Sequence, residues 1–521
     1  MHANDFIHRI PPVHPWTVLW ALLGLLTLAF LLQALYNLYL HQLARFPGPL
    51  MSRASPIPHA LRLISGTGPL QVHRLHDRYG PVVRLSPDHL SFTDLRAWKD
   101  IYGHHVGAHE NLKSKRHYPD ALRGNLPTNI VSAGTEEHAR LRRALAYGFS
   151  DRAMRKQEGL IKKYVDLLMG GIGRRAARGE RVDIVKWYNW TTFDIVGDLV
   201  FAESFGCLKR EDGHFFVDLI TGLVKQGPPQ LALRYLGLAS WKPVRFFIDH
   251  VVPRFAPNHL KELRLAVRFK LKQRLEVKED RSDLFEGIMK RREEWNLNMP
   301  KLEANAIFLV VAGSETTASL LSGATYLLLV NPDAMEKLKH EVRSSFNSAD
   351  EITLLSVSRL HYMLACLNEA LRRYPPTAAN IARDVHQGGA IIAGHFVPEK
   401  TTVEVQPYSM NHTSLHWHDP YAFKPERFLH KLDSELGEGR MDEENAVRDH
   451  LEAMQAFSVG PRNCIGRNLA YAEMRLILAR IIYDFDLRLA DECKHWLQRG
   501  RVYTVWRKPP LYVYLTPVKR E

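Results

Sequence analysis

The hydropathy pattern opens on a run without Lys, Arg, Asp or Glu between Arg9 and Arg45, apolar almost throughout from Val13 to Leu35. A bilayer core takes about 20 such residues in a helix, so the run predicts a membrane span and residues 1–45 an N-terminal anchor. It exceeds the roughly 7 to 15 apolar residues of a cleavable signal peptide. Trp16, Trp20, Tyr36 and Tyr39 stand near its ends, as interfacial aromatics do. Arg45, Arg53 and Arg62 after the run outnumber Arg9 before it, which puts the bulk of the chain on the cytosolic side. Phe46-Pro47-Gly48-Pro49 then removes backbone donors and makes residues 46–60 a stiff hinge.

Beyond the hinge, Val82 to Leu85 and Leu90 to Thr93 flank Ser86-Pro87-Asp88 and predict a β-hairpin, and Tyr102 to Pro127 has no sustained period and reads as a long loop. Helices are predicted over Glu136–Phe149, Lys186–Phe201 and Phe215–Val224, the last leading to Gly227-Pro228-Pro229. Trp241, Phe246, Phe247 and Ile248 alternate with Lys242 and Arg245, which suits a membrane-dipping surface or core packing. Ala304 to Val330 is long and apolar enough to span a membrane, but Gly313-Ser314-Glu315-Thr316-Thr317 sets a carboxylate and hydroxyls at its middle. Such groups cost several kcal/mol in lipid and suit a buried helix beside a reaction site. Leu360, Met363, Leu364, Leu367 and Leu371 mark a helix that carries Glu369 and Arg372 on one side. Ile381 to Val385 and Val403 to Val405 read as neighbouring strands, Lys431 to Glu452 as a surface loop and Leu469 to Phe485 as a helix. Val502–Trp506 and Leu511–Leu515 are expected to close the chain as a hairpin.

No linker or repeat interrupts residues 61–521, which therefore read as one large, mainly α domain with small β-sheets. The net charge of +14 admits nucleic acid, an anionic membrane or an acidic protein as partner. The basic residues Lys113, Lys115, Arg116, Arg140, Arg142, Arg143, Arg152, Arg155, Lys156, Lys162 and Lys163 lack aromatic interleaving or a nucleic-acid module, so they read as a solvated face and nucleic acid is not expected. Cys207, Cys366, Cys464 and Cys493 are scattered, which argues against a disulfide framework or zinc site. The sequons at Asn189 and Asn411 are taken as chance.

The chemistry concentrates in Phe457-Ser458-Val459-Gly460-Pro461-Arg462-Asn463-Cys464-Ile465-Gly466-Arg467. Cys464 stands between two glycines, beside arginines and ahead of a helix, where backbone N–H groups favour a thiolate and its metal. With haem iron as that metal, the glycines permit close backbone approach, Arg462 pairs a propionate and Phe457 covers the ring near the sulfur.

The spacing Phe-x-x-Gly-x-Arg-x-Cys-x-Gly resembles the haem signature of the cytochrome P450 family, and further motifs follow the family's order. Ala312-Gly313-Ser314-Glu315-Thr316 resembles the motif over the distal haem face, Glu369-x-x-Arg372 with Arg427 of Pro425-Glu426-Arg427-Phe428 resembles the buried Glu-Arg-Arg cluster, and Arg142 matches the propionate helix. There His138 replaces the usual tryptophan, and Arg383 is a further candidate for a propionate. The resemblance implies a P450 fold over 61–521, haem b ligated by Cys464, Ala312 against the haem, and proton delivery by Glu315 and Thr316. It also implies a monooxygenase that uses O2 and NADPH to hydroxylate or epoxidise a hydrophobic small molecule. No flavin, nicotinamide or iron–sulfur motif is present, so the implied electron donor is NADPH-cytochrome P450 reductase, with cytochrome b5 as a further one, at the endoplasmic reticulum membrane. The N-terminal half and the cysteine loop resemble fungal enzymes of secondary metabolism, which implies a terpenoid or polyketide substrate. The alternatives are a haem-thiolate isomerase or dehydratase, whose relatives tend to alter the intact Gly-x-Glu-Thr motif, and a haem sensor, which has no use for it.

Overall fold

In the computed structural model, residues 14–104, 110–118, 127–247, 250, 259–277, 281–379, 381–429, 449–503 and 505–519 are described. The N-terminal apolar run forms helix α1 (Pro15–Leu35), none of whose residues is buried, and continues as a π-helical turn to Leu40. The chain then turns into the body of the protein. Leu43 and Phe46 are buried in a core cluster, Arg84 Nη1 donates to Asn37 O (2.9 Å), and Arg53 Nη2 donates to Ala44 O (2.9 Å).

Helices α2 (Ile57–Ser65) and α3 (Gly68–Tyr79) lead to strands β1 (Val82–Ser86) and β2 (His89–Phe92), which pair antiparallel as the turn at Pro87 predicts. Three short strands complete this sheet: β3 (Leu112–Lys113), β5 (Arg383–Asp384) and β6 (Thr402–Val405), in the order β1-β2-β6-β5-β3. The register sets Lys113 directly opposite Arg383. Part of the predicted 102–127 loop is therefore an edge strand, and residues 105–109 and 119–126 lie outside the described residues.

The helical body comprises α4 (Thr135–Ala146), α5 (Asp151–Ala177), α6 (Ile184–Phe201), α7 (Phe215–Tyr235), α8 (Lys242–Phe246), α9 (His259–Glu276), α10 (Met299–Leu329), α11 (Pro332–Ser345) and α12 (His361–Arg373). Helix α7 runs through Pro228 and Pro229 instead of ending at them, with Ala232 and Tyr235 buried in a cluster with Ala60 of α2. Packing at the end of that helix offsets the donors that proline removes. The apolar α10 is a core helix, with most of its residues buried. It lies along α6, where a Cβ on Gly313 would stand 2.9 Å from Val196 Cγ2. Only glycine keeps the two helices this close.

After the cysteine loop come α13 (Arg467–Asp484) and β7 (Phe485–Leu489). The expected terminal hairpin does not form. Strand β8 (Arg501–Val502) pairs with β9 (Trp506–Arg507), while β10 (Tyr512–Pro517) pairs with β7 and with β4 (Val182–Asp183). Pro509 and Pro510 lack the donors that would carry one ladder through, so β10 finds partners elsewhere.

Trp241, Phe246 and Phe247 are 58%, 61% and 55% exposed, which rules out core packing for them; Ile248 lies outside the described residues. Leu61 and Ile64 of α2, the helix packed against α7, are also exposed. Of the predicted 431–452 loop, residues 431–448 lie outside the described residues. Asn411 is buried and its Nδ2 donates to Arg372 O (3.1 Å), so its sequon is closed to modification in the folded chain.

Candidate active site

The cysteine loop is folded on itself by hydrogen bonds from Asn463 N–H to Gly460 O (3.1 Å) and from Cys464 N–H to Phe457 O (2.8 Å). Gly460 is left-handed (φ 76°), and a Cβ there would stand 1.9 Å from Tyr102 O. No side chain fits, so glycine is required for the loop to seat against the helix at Arg96–Tyr102. Phe457 packs against Tyr471 with the rings tilted by 44° at 5.3 Å between centroids, and the Arg467 guanidinium lies 5.8 Å from the Phe457 ring.

The Cys464 side chain is exposed by surface area, yet burial pushes its thiol pKa up. The two agree if the exposed face borders internal space rather than bulk water. The hydrogen bond from Gly466 N–H and the charges of Arg142 and Arg467 act in the opposite direction, as expected of a thiolate nest, but burial outweighs them. A bound cation would supply the missing stabilisation of the anion.

Helix α4 rests on this loop through Arg142, whose guanidinium donates to Asn463 O (2.7 Å) and to Asn463 Oδ1. One turn earlier His138 is buried, its pKa lowered to about 4 by burial and then by Arg462 and Arg142. Arg462 reaches Glu110 Oε1 (2.9 Å) and Ala133 O (2.9 Å) with its side chain 3% exposed. Across the sheet edge, Arg383 is 2% exposed and its Nε and Nη1 are buried without a hydrogen-bond partner. Lys113 opposite it has its ammonium 4.5 Å from the Tyr118 ring, and its pKa is driven well down by burial and by Arg383 and Arg462.

Like charges directly opposite on paired strands repel, and buried guanidinium N–H groups that lack an acceptor are costly, although the Tyr102 ring lies 5.5 Å from the Arg383 guanidinium. Lys113, Arg383 and Arg462, with an uncharged His138 beside them, form a largely buried cluster of basic groups in which Glu110 is a carboxylate that acts on Lys113, His138 and Arg383. A group bringing two further carboxylates beside a thiolate fits this surplus, and haem is such a group. Lys113 and Glu110 were not identifiable from sequence. The sequence pattern places Lys113 on a solvated basic face, and its partner strand is defined only by the sheet register.

On α10 the residues Val311, Ala312, Gly313, Glu315 and Thr316 are partly open within an otherwise buried stretch. Thr316 Oγ1 donates to Ala312 O (2.7 Å), and Glu315 is ion-paired with Lys508. The structure thus brings Arg142, Arg462, Phe457 and Cys464 together around the loop, with His138 and Arg383 along one side. Ala312, Glu315 and Thr316 form a separate group, and no hydrogen bond among the described residues links it to the loop.

The chain matches the description Cytochrome P450 over residues 47–515. It belongs to the cytochrome P450 family. It is similar to a cytochrome P450 monooxygenase of Talaromyces stipitatus, tpeC, with 45% identity covering 94% of this chain and 93% of the relative. It is also similar to averantin hydroxylase of Dothistroma septosporum (43%, covering 95% and 90%) and to trichothecene C-15 hydroxylase of Fusarium sporotrichioides (40%, covering 96% and 99%). This P450 is accordingly a haem-thiolate monooxygenase of the fungal secondary-metabolism type, using dioxygen, an organic substrate and NADPH electrons that reach it through a redox partner.

Beneath the P450 site the Glu369–Arg372 pair (2.7 Å) is fully buried, and Arg427 Nε stands 3.5 Å from Glu369 while its Nη1 bonds Asp449. Arg372 also donates to Asn411 O and Pro420 O (both 2.7 Å) and to Ala422 O (3.0 Å), so it ties α12 to the segment ahead of the cysteine loop.

Proposed function

We propose that this P450 hydroxylates a terpenoid or polyketide, with Cys464 as the haem ligand and a propionate site made by Arg142, His138, Arg383, Arg462 and Lys113. The observation that carries the reading is that two guanidinium nitrogens of Arg383 are buried with no hydrogen-bond partner among the described residues, opposite Lys113 across the sheet. When bound, haem supplies the activation of dioxygen, and the remaining tasks fall to the chain. Phe457 and Ala312 would help hold the haem, Phe457 beside the Cys464 sulfur and Ala312 from α10. Thr316 Oγ holds its proton against Ala312 O and keeps lone pairs that accept a proton while it passes one on. Glu315 is the acid that supplies it. Two relatives named as hydroxylases support hydroxylation over epoxidation.

Residues 1–45 serve as a single-pass anchor in the endoplasmic reticulum membrane, residues 46–60 as the hinge and residues 61–521 as a cytosolic catalytic domain. The fully exposed apolar face of α1 supports this, and the exposed Trp241, Phe246 and Phe247 add a second lipid contact. Electrons come from NADPH-cytochrome P450 reductase, with cytochrome b5 as a further donor. The decisive test is the carbon monoxide complex of the reduced protein. The wild type is expected to show the red-shifted band of a haem thiolate, Cys464→Ala to lose it, and the Cys207, Cys366 and Cys493 variants to keep it. Retention of the band in Cys464→Ala would overturn the assignment.

A further inference from the structure

Glu315 and Thr316 are consecutive on α10, yet their side chains are drawn in opposite directions along it. Thr316 bonds the carbonyl of Ala312 one turn back (2.7 Å), whereas Glu315 is ion-paired with Lys508, whose ammonium also donates to Ser319 Oγ (2.8 Å) one turn ahead. The side chains of Lys508 and Glu315 are only 3% and 18% exposed, and Ser319 is fully buried. The lysine stands on a fixed support. Trp506 Nε1 donates to Pro375 O (2.7 Å), the Trp506 ring stacks on Tyr374 at 4.2 Å, and Pro509 O accepts from Trp496 Nε1 (2.8 Å).

We propose that Lys508 is a positioning residue that parks Glu315 on the side of α10 away from Thr316, so that proton supply waits until the ion pair opens. This rests on the reading of Glu315 as the proton-supplying acid. A shielded pair resists opening because each charge would be left without its partner in a medium that screens poorly. The arrangement holds the acid back while no substrate is present, when protons would only convert dioxygen and NADPH electrons into peroxide.

The test uses the full-length haem-loaded protein with its reductase. Substrate-free NADPH oxidation and peroxide release are expected to rise several-fold in Lys508→Met, to stay near wild type in Lys508→Arg, and to fall to the Glu315→Gln level in the double variant. A second readout needs no turnover. In melts of the ferric protein, Lys508→Met and Glu315→Gln should each lower the melting temperature, and the double variant should lose less than the two losses together. If Lys508→Met fails to fold, Lys508→Gln, which keeps a donor for Ser319 without the charge, takes its place. An unchanged leak, or one raised equally in the Glu315→Gln background, would reduce Lys508 to a structural tie and overturn the proposal. Normal product per NADPH in Glu315→Gln would instead overturn the underlying reading of Glu315, a separate and recognisable result.

Discussion

Arg372→Ala removes a buried side chain that makes five hydrogen bonds. The guanidinium is fully buried and donates to both carboxylate oxygens of Glu369 (2.7 Å each) and to the carbonyls of Asn411, Pro420 and Ala422. Truncation strands the Glu369 charge, which costs about 3–5 kcal/mol, and each carbonyl left without a donor adds about 1–3 kcal/mol. Lys424 N–H still donates to Glu369 Oε1 (3.0 Å) and Arg427 remains 3.5 Å away, so part of the charge stays compensated. A net loss of at least about 5 kcal/mol equals or exceeds much of the roughly 5–15 kcal/mol that holds a native protein together. Glu369→Gln removes a charge but keeps the shape and leaves Arg372 on its three carbonyls, so it should cost about 1.5–3 kcal/mol. The assay is haem per chain from the reduced carbon monoxide band, paired with resistance to limited proteolysis. Arg372→Ala should yield almost no folded haem protein and Glu369→Gln a reduced amount. Recovery of Arg372→Ala at wild-type yield and melting temperature, with turnover lost, would show the pair to be catalytic and refute the reasoning.

Three further outcomes are expected. Thr316→Ala should keep substrate binding and NADPH consumption while product per NADPH falls and peroxide rises; normal coupling would mean that the bond to Ala312 O is the hydroxyl's whole role. Deleting residues 1–34 should move the protein from the membrane pellet toward the soluble fraction with haem binding intact. Deletion through residue 45 should also cost stability, because it removes Leu43 from the core and the carbonyl of Asn37 from Arg84. Glu473 on α13 is fully buried beside Thr317, and burial raises its carboxyl pKa to about 8 from an ordinary 4.5. The folded state therefore holds this proton at pH values where the unfolded chain releases it, so the contribution is full below pH 4.5 and is lost as pH rises toward 8, each pH unit between carrying about 1.4 kcal/mol. Melts from pH 5 to 9 should show a shallower decline for Glu473→Gln than for the wild type, and identical slopes would contradict this.

Features that depend on neighbouring residues along the chain were legible from sequence: the apolar run of α1, the Val82–Phe92 hairpin, the periodic helix bearing Glu369 and Arg372, and the glycine loop that presents Cys464. Each rests on local sterics and on spacing, and both act within a few residues. The polar middle of α10 likewise marked it as a core helix rather than a span. What remained hidden were pairings between distant segments. The terminal strand took β7 and β4 as partners once two prolines closed the nearer choice. Lys113 left the solvated face because the sheet register set it against Arg383. Lys508, a loop residue with no motif around it, became the partner of Glu315. The burial that pushes the Cys464 thiol pKa up was also hidden, since a sequence shows the helix N-terminus and the arginines that favour an anion but not the burial that opposes it. Electrostatic and desolvation energies depend on distance in space and on the depth of the surrounding protein, and neither quantity exists until the whole chain has folded.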